Sequence, residues 1–144
     1  GSPAFFGGEF IEGLFSFADL TQTPVNRGIG YIISNTTFNP IISVNNPDGY
    51  ALTDVDKYQN YIYYVIYGLG FYQYNELTGS TKLLQEMCQT REILNISVSQ
   101  ISGNILIEEI HNSKLSESGG VLIQPNIYLL NPNTMKKTPI LVKK

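Results

Sequence analysis

Residues 60–84 read NYIYYVIYGLGFYQYNELTGSTKLL, and the reading of this stretch decides the fold. Its centre, Phe71-Tyr72-Gln73-Tyr74-Asn75-Glu76-Leu77-Thr78-Gly79, joins an aromatic run to a polar turn, and Lys82-Leu83-Leu84 follows as a second apolar run. Aromatic and β-branched residues fit a pleated surface better than a helix, so the segment predicts strand, turn, strand. Tyr61 to Tyr67 runs without polar alternation, which predicts a strand covered on both faces. Gly68 to Gly70 then breaks it.

The same shape occurs at Leu14-Phe15-Ser16-Phe17-Ala18-Asp19-Leu20-Thr21 and at Ile127-Tyr128-Leu129-Leu130-Asn131-Pro132-Asn133-Thr134. The copies start 57 and then 56 residues apart, with an aromatic at the second place of each. This predicts an all-β chain of antiparallel hairpin repeats, with units over 4–26, 28–86 and 93–143 inside one domain spanning 3–144. Gly1-Ser2 reads as a cloning remnant. A β-sandwich is the alternative arrangement.

Between the copies the signals are also β. Tyr31-Ile32-Ile33 and Ile41-Ile42-Ser43-Val44 are short β-branched runs, and Asn45-Asn46-Pro47-Asp48-Gly49 is the strongest turn. Ile93 to Ile101 alternates as a half-buried strand, Ser102-Gly103-Asn104 turns the chain, and Ile105 to Ile110 returns as its hairpin partner. Pro139 places the last strand at a sheet edge. Two windows compete for helix. Glu9 to Leu20 puts Phe10, Leu14 and Phe17 on one helical face, and Ser80 to Arg91 holds good helix formers. The match to the other copies favours strand in both, with a turn of helix allowed after Leu84.

Phe5-Phe6-Gly7-Gly8 followed by Leu14 to Thr21, and Gly119-Gly120 followed by Asn126 to Thr134, resemble the order of a kelch-type β-propeller blade. The middle copy carries Tyr67-Gly68 in place of the glycine doublet. The resemblance implies four-stranded blades, of which this chain offers about 2.5–3. Closed propellers need about four to eight. It therefore also implies either self-association or a larger parent protein, because open blades leave apolar faces and strand edges uncovered.

Composition narrows the function. The apolar fraction of 42% is globular, and charged residues make up only 15%. Asn, Ser, Thr and Tyr carry the polar surface instead, which suits an extracellular or cell- or virion-surface β-protein. A net charge of −3 argues against a sequence-independent grip on nucleic acid. Lys136, Lys137, Lys143 and Lys144 read as a solvated basic end. No apolar run approaches the ~18–20 residues of a membrane helix, so no membrane insertion is expected.

Cys88 and His111 are each alone of their kind, in no local nucleophile motif. Glu108 and Glu109 are adjacent on a strand and so point to opposite faces, which is poor for paired acid–base work. No phosphate loop, nucleophile elbow or metal-ligand spacing is present. Asp48, Asp54 and Asp56, with Asn45 and Asn46, put oxygen ligands near one turn and could hold calcium, but the spacing does not match an EF-hand loop and turn chemistry accounts for them better.

These readings predict a non-enzymatic protein-binding domain with no cofactor and no metal. The alternative is a structural assembly domain of a surface, capsid or tail protein. A third reading is a propeller fragment accompanying a hydrolase. Tyrosine combines large area with a polar tip. Within the cluster from Tyr58 to Tyr74, most members read as inter-sheet core, and Tyr58 and Tyr67 are the candidate interaction surface. Asn35 and Asn95 begin Asn-x-Ser/Thr triplets and are candidate glycosylation sites if the protein is secreted.

Overall fold

The computed structural model describes residues 9–11, 13–19, 21, 23, 26–34, 37–45, 52–87, 92–110 and 126–140. All of its regular structure is β, in three four-stranded antiparallel sheets. The chain divides into two compact units, 1–52 and 53–144.

The first unit holds the sheet β1 (Glu9–Ile11), β2 (Leu14–Asp19), β3 (Asn26–Ser34) and β4 (Thr37–Asn45), in that spatial order. The helical option over Glu9 to Leu20 gives way to β1 and β2, which pair with each other while β2 pairs along its length with β3. Leu14 and Phe17 are buried, and Phe17 meets Phe38 edge-on at 5.3 Å.

The second unit holds two sheets. One runs β5 (Leu52–Tyr58), β6 (Tyr61–Ile66), β7 (Gly70–Asn75) and β8 (Thr81–Glu86) in sequence order. The other contains β9 (Glu92–Val98), β10 (Ile105–Ile110), β11 (Asn126–Leu130) and β12 (Lys137–Pro139), ordered β12-β11-β10-β9. Pro139 thus lies on an edge strand, where its missing N–H costs no ladder bond. The turn of helix allowed after Leu84 falls partly on Cys88 to Arg91, outside the described residues; β8 itself runs on to Glu86.

The second and third sheets share one apolar core. Tyr63, Val65, Phe71, Leu84 and Met87 come from the second, and Ile96, Val98, Ile105, Ile107 and Leu130 are among those from the third. All of Ile62 to Ile66 is buried, so β6 is covered on both faces as its unbroken apolar sequence predicts. On β9 a bulge makes Leu94 the extra residue, since Asn95 faces Glu108 while Ile93 faces Glu109. Simple alternation would point Leu94 inward with Ile96. Instead Ile93, Ile96 and Val98 are buried and Leu94 is 48% exposed.

The repeat units are cut differently from the sequence expectation. Phe71 to Tyr74 and Ile127 to Leu130 occupy equivalent places, the third strands of their sheets, each followed by a turn and the outer strand. Leu14 to Phe17 lies in the second described strand of its sheet. Residues 26–45, divided at Gly28 by the sequence reading, pair with β2 and not with β5. Hydrogen bonding therefore groups them with the first copy.

Candidate functional site

Three turns of the second unit share one architecture. Asn75–Ser80, Ser99–Asn104 and Asn131–Lys136 each close with the first residue's N–H donating to the sixth residue's carbonyl, at 2.8–2.9 Å. In each, the fifth residue's N–H donates back to the first residue's carbonyl. The first side chain accepts inside the loop: Asn75 Oδ1 from Leu77 N–H, Ser99 Oγ from Ile101 and Ser102 N–H, Asn131 Oδ1 from Asn133 N–H. The fourth residue's hydroxyl, on Thr78, Ser102 or Thr134, accepts from the sixth residue's N–H. The fifth residue has positive φ, at Gly79 (73°), Gly103 (77°) and Met135 (62°). Asn and Ser at the first position are residues that imitate a backbone turn with their side chains.

Two of these turns, with the β5–β6 turn, enclose a cleft of about 270 Å³. Its aromatic side is Tyr58, Tyr61 and Tyr63. Tyr63 is almost fully buried, and its hydroxyl accepts a 2.9 Å bond from Gln73 Nε2. Burial, chiefly by removing water, holds its phenol above the usual tyrosine range. The amide side is formed by Asn104 and Asn131 to Asn133, with Gln59 at the mouth. Gly103 packs against the Tyr58 ring so closely that a Cβ there would stand 2.7 Å from Cε1.

Tyr58 is therefore a half-buried wall of this cleft, and Tyr67, 51% exposed, sits in the β6–β7 turn. The two lie at opposite ends of β6, and the structure does not bring them together into one surface. Sequence reasoning missed Asn104, Asn131 and Asn133 as cleft residues. The repeated pattern Asn/Ser-x-x-Thr/Ser with a left-handed fifth position was the signal available.

A second arrangement links the sheets. Asp54 and Asp56, two apart on β5, face β9. Asp54 Oδ2 accepts the Ile96 N–H and Asp56 Oδ2 the Val98 N–H, both at 2.7 Å. Their Oδ1 atoms accept the N–H of Val55 and Lys57. β5 and β9 are edge strands, so the carboxylates satisfy backbone donors that no strand pairs. This corrects the turn reading of these two aspartates: they stand within a strand and bridge to the next sheet. Asp48 and Asn46 lie outside the described residues, and among those described no group of three His, Cys, Asp or Glu is placed to hold a metal. Desolvation raises the Asp54 carboxyl above its ordinary value, with the Asp56 charge adding to it and the two N–H bonds opposing.

Glu109 is buried on the core face while Glu108 lies on the other, as adjacent strand positions require. Glu109 accepts from Gln85 Nε2 at 3.1 Å, and Gln85 Oε1 accepts from Lys137 Nζ at 2.9 Å, over the Tyr128 ring. This chain of amide and charge ties β8, β10 and β12 together. Asn95 is exposed on β9; Asn35, Cys88 and His111 lie outside the described residues. Among the described residues no helix is long and apolar enough to cross a membrane. In comparisons with known proteins, the chain matches no family model, no curated sequence and no solved structure.

Proposed function

We propose that the chain is a non-enzymatic interaction module of propeller-like sheets that acts at or outside the cell surface by docking another β-sheet. The observation that carries this reading is the aspartate ladder from β5 to β9. On β9 the positions corresponding to Asp54-Val55-Asp56 are Asn95-Ile96-Ser97, again two short polar acceptors flanking a buried aliphatic. Asn95 and Ser97 are exposed and point away from the shared core. Behind them Ser97, Leu106 and Leu129 form one cross-strand row, and Asn95, Glu108 and Ile127 the next. Leu106 and Leu94 remain 40% and 48% exposed.

An apolar sheet face edged by acceptors suits an antiparallel sheet whose first strand offers free N–H groups. The partner in this reading is a second copy of this chain. Glycosylation of Asn95 is incompatible with this docking, so the reading requires Asn95 to be unmodified. Sedimentation of the wild type and of Leu106→Lys tests it: concentration-dependent association lost in the variant supports docking through this face, and unchanged association refutes it.

One observation favours the assembly-sandwich alternative. The second and third sheets pack face to face over a single core, as in a two-layer sandwich. That reading expects a stable monomer whose outer face stays wet.

A further inference from the structure

The cleft between the β5–β6 turn and the Ser99 and Asn131 turns stands apart from the face of the third sheet. It lies wholly within the pair of sheets formed by β5 to β12, so it does not rest on the docking reading. Its lining has no charged side chain, which leaves no anchor for a charged ligand. Its walls are of two kinds, tyrosine rings on one side and amides on the other. Among the described residues, the Tyr61 hydroxyl and the side-chain amides of Asn104 and Asn133 make no hydrogen bond within the fold. A ligand that reproduces the bonds such groups make to solvent can take the place of that solvent.

The frame around these groups is rigid. Both amide-bearing turns are closed by two backbone bonds each and braced by Ser99 and Asn131. Tyr58 is held by Gly103, and Tyr63 by Gln73. Little ordering cost therefore falls on binding. The volume falls just below the usual range for small-molecule sites, room for one ring and its substituents.

We propose that this cleft binds a neutral polyhydroxylated ring, a single sugar unit of a glycan. The C–H groups of such a ring lie against the half-buried Tyr58 and Tyr61, with Tyr63 closing the floor, and its hydroxyls bond to Asn104, Asn133 and the Tyr61 hydroxyl. Tyrosine suits this role because its ring is apolar and its tip polar. A flat apolar ligand leaves the amides unpaired, and a charged one finds no counter-charge.

The test titrates the full chain with neutral oligosaccharides (maltotetraose, cellotetraose, tri-N-acetylchitotriose). Oligogalacturonate serves as the charged comparison and an uncharged tetrapeptide as the peptide comparison. Tyrosine fluorescence and calorimetry are the readouts. The proposal expects at least one neutral glycan to bind with a dissociation constant below about 10 mM. It further expects Asn133→Ala and Tyr61→Ala each to weaken binding by about tenfold or more. Asn133 is exposed at a turn tip and its side chain supports nothing in the fold, so Asn133→Ala separates lost binding from lost folding. Failure of every neutral glycan to bind, preference for the acidic glycan or the peptide, or binding unchanged in Asn133→Ala overturns the proposal.

Discussion

Replacing Asp56 by alanine removes the acceptor for two N–H groups, those of Val98 and Lys57, each at 2.7 Å. Val98 belongs to the buried core and its N–H points from an edge strand to the neighbouring sheet, so no β-ladder partner takes over. A hydrogen bond to a charged acceptor contributes about 1.5–3 kcal/mol, and an orphaned buried donor costs about 1–3 kcal/mol. The Lys57 bond is local and half-exposed, so water replaces it at little cost. The expected loss for Asp56→Ala is therefore about 2 kcal/mol. If the unit of residues 53–144 unfolds cooperatively, that loss corresponds to about 8–16 °C in Tm for a domain of this size. Asp54→Ala loses the Ile96 bond in the same way but by a smaller amount, because burial already penalises its charge. Near-UV circular dichroism during urea unfolding measures the loss, and amide hydrogen exchange at Val98 localises it. A destabilisation below about 0.5 kcal/mol refutes the ladder as a structural tie. So does Val98 exchange that remains as slow as in the wild type.

Four further outcomes follow from the same geometry. The Tyr64 phenol, stacked on Tyr72 at 5.2 Å and buried, is pushed up to about 12 from 10.0. Its folded value exceeds its unfolded one, so its stabilisation is whole below pH 10 and is lost as pH rises towards 12. The ceiling is about 2.7 kcal/mol at about 1.36 kcal/mol per pH unit, and unfolding curves between pH 9 and 12 with absorbance at 295 nm follow it. Asp54 also holds its proton more tightly folded than unfolded, so wild type gains on Asp54→Asn as pH falls from neutral towards 3.8; denaturant midpoints of the pair over that window check the sign. Gly28→Ala drives a Cβ into the Ile42 carbonyl oxygen on β4, so the first sheet loses its β3–β4 pairing, which faster amide exchange in that hairpin reports. Gly103→Ala combines a positive φ with a clash against Tyr58 and costs about 1–3 kcal/mol by thermal unfolding, with weakened glycan binding.

The all-β character was legible in the sequence because β-branched and aromatic runs recur between turn residues, and the Ile93–Ile110 hairpin carries its own turn signal. The likeness of Phe71 to Tyr74 and Ile127 to Leu130 was legible too, because the same turn follows each. The first copy misled: Leu14 to Thr21 shares the letters of those strands but not their place, since β3 and β4 follow it in the same sheet. Asp54 and Asp56 resembled turn or metal residues because their partners lie 42 residues downstream. The cleft escaped for a related reason. Its walls come from turns spread from Tyr58 to Asn133, and serine stands in the Ser99 turn where asparagine stands in the other two.

Docking of another sheet on the open face of the third sheet, as proposed, changes the solution mass of the intact chain. Light scattering behind size-exclusion chromatography is expected to give a discrete multiple of 16.1 kDa that falls to the single-chain mass in Leu106→Lys. A wild type that keeps the single-chain mass at every concentration contradicts it.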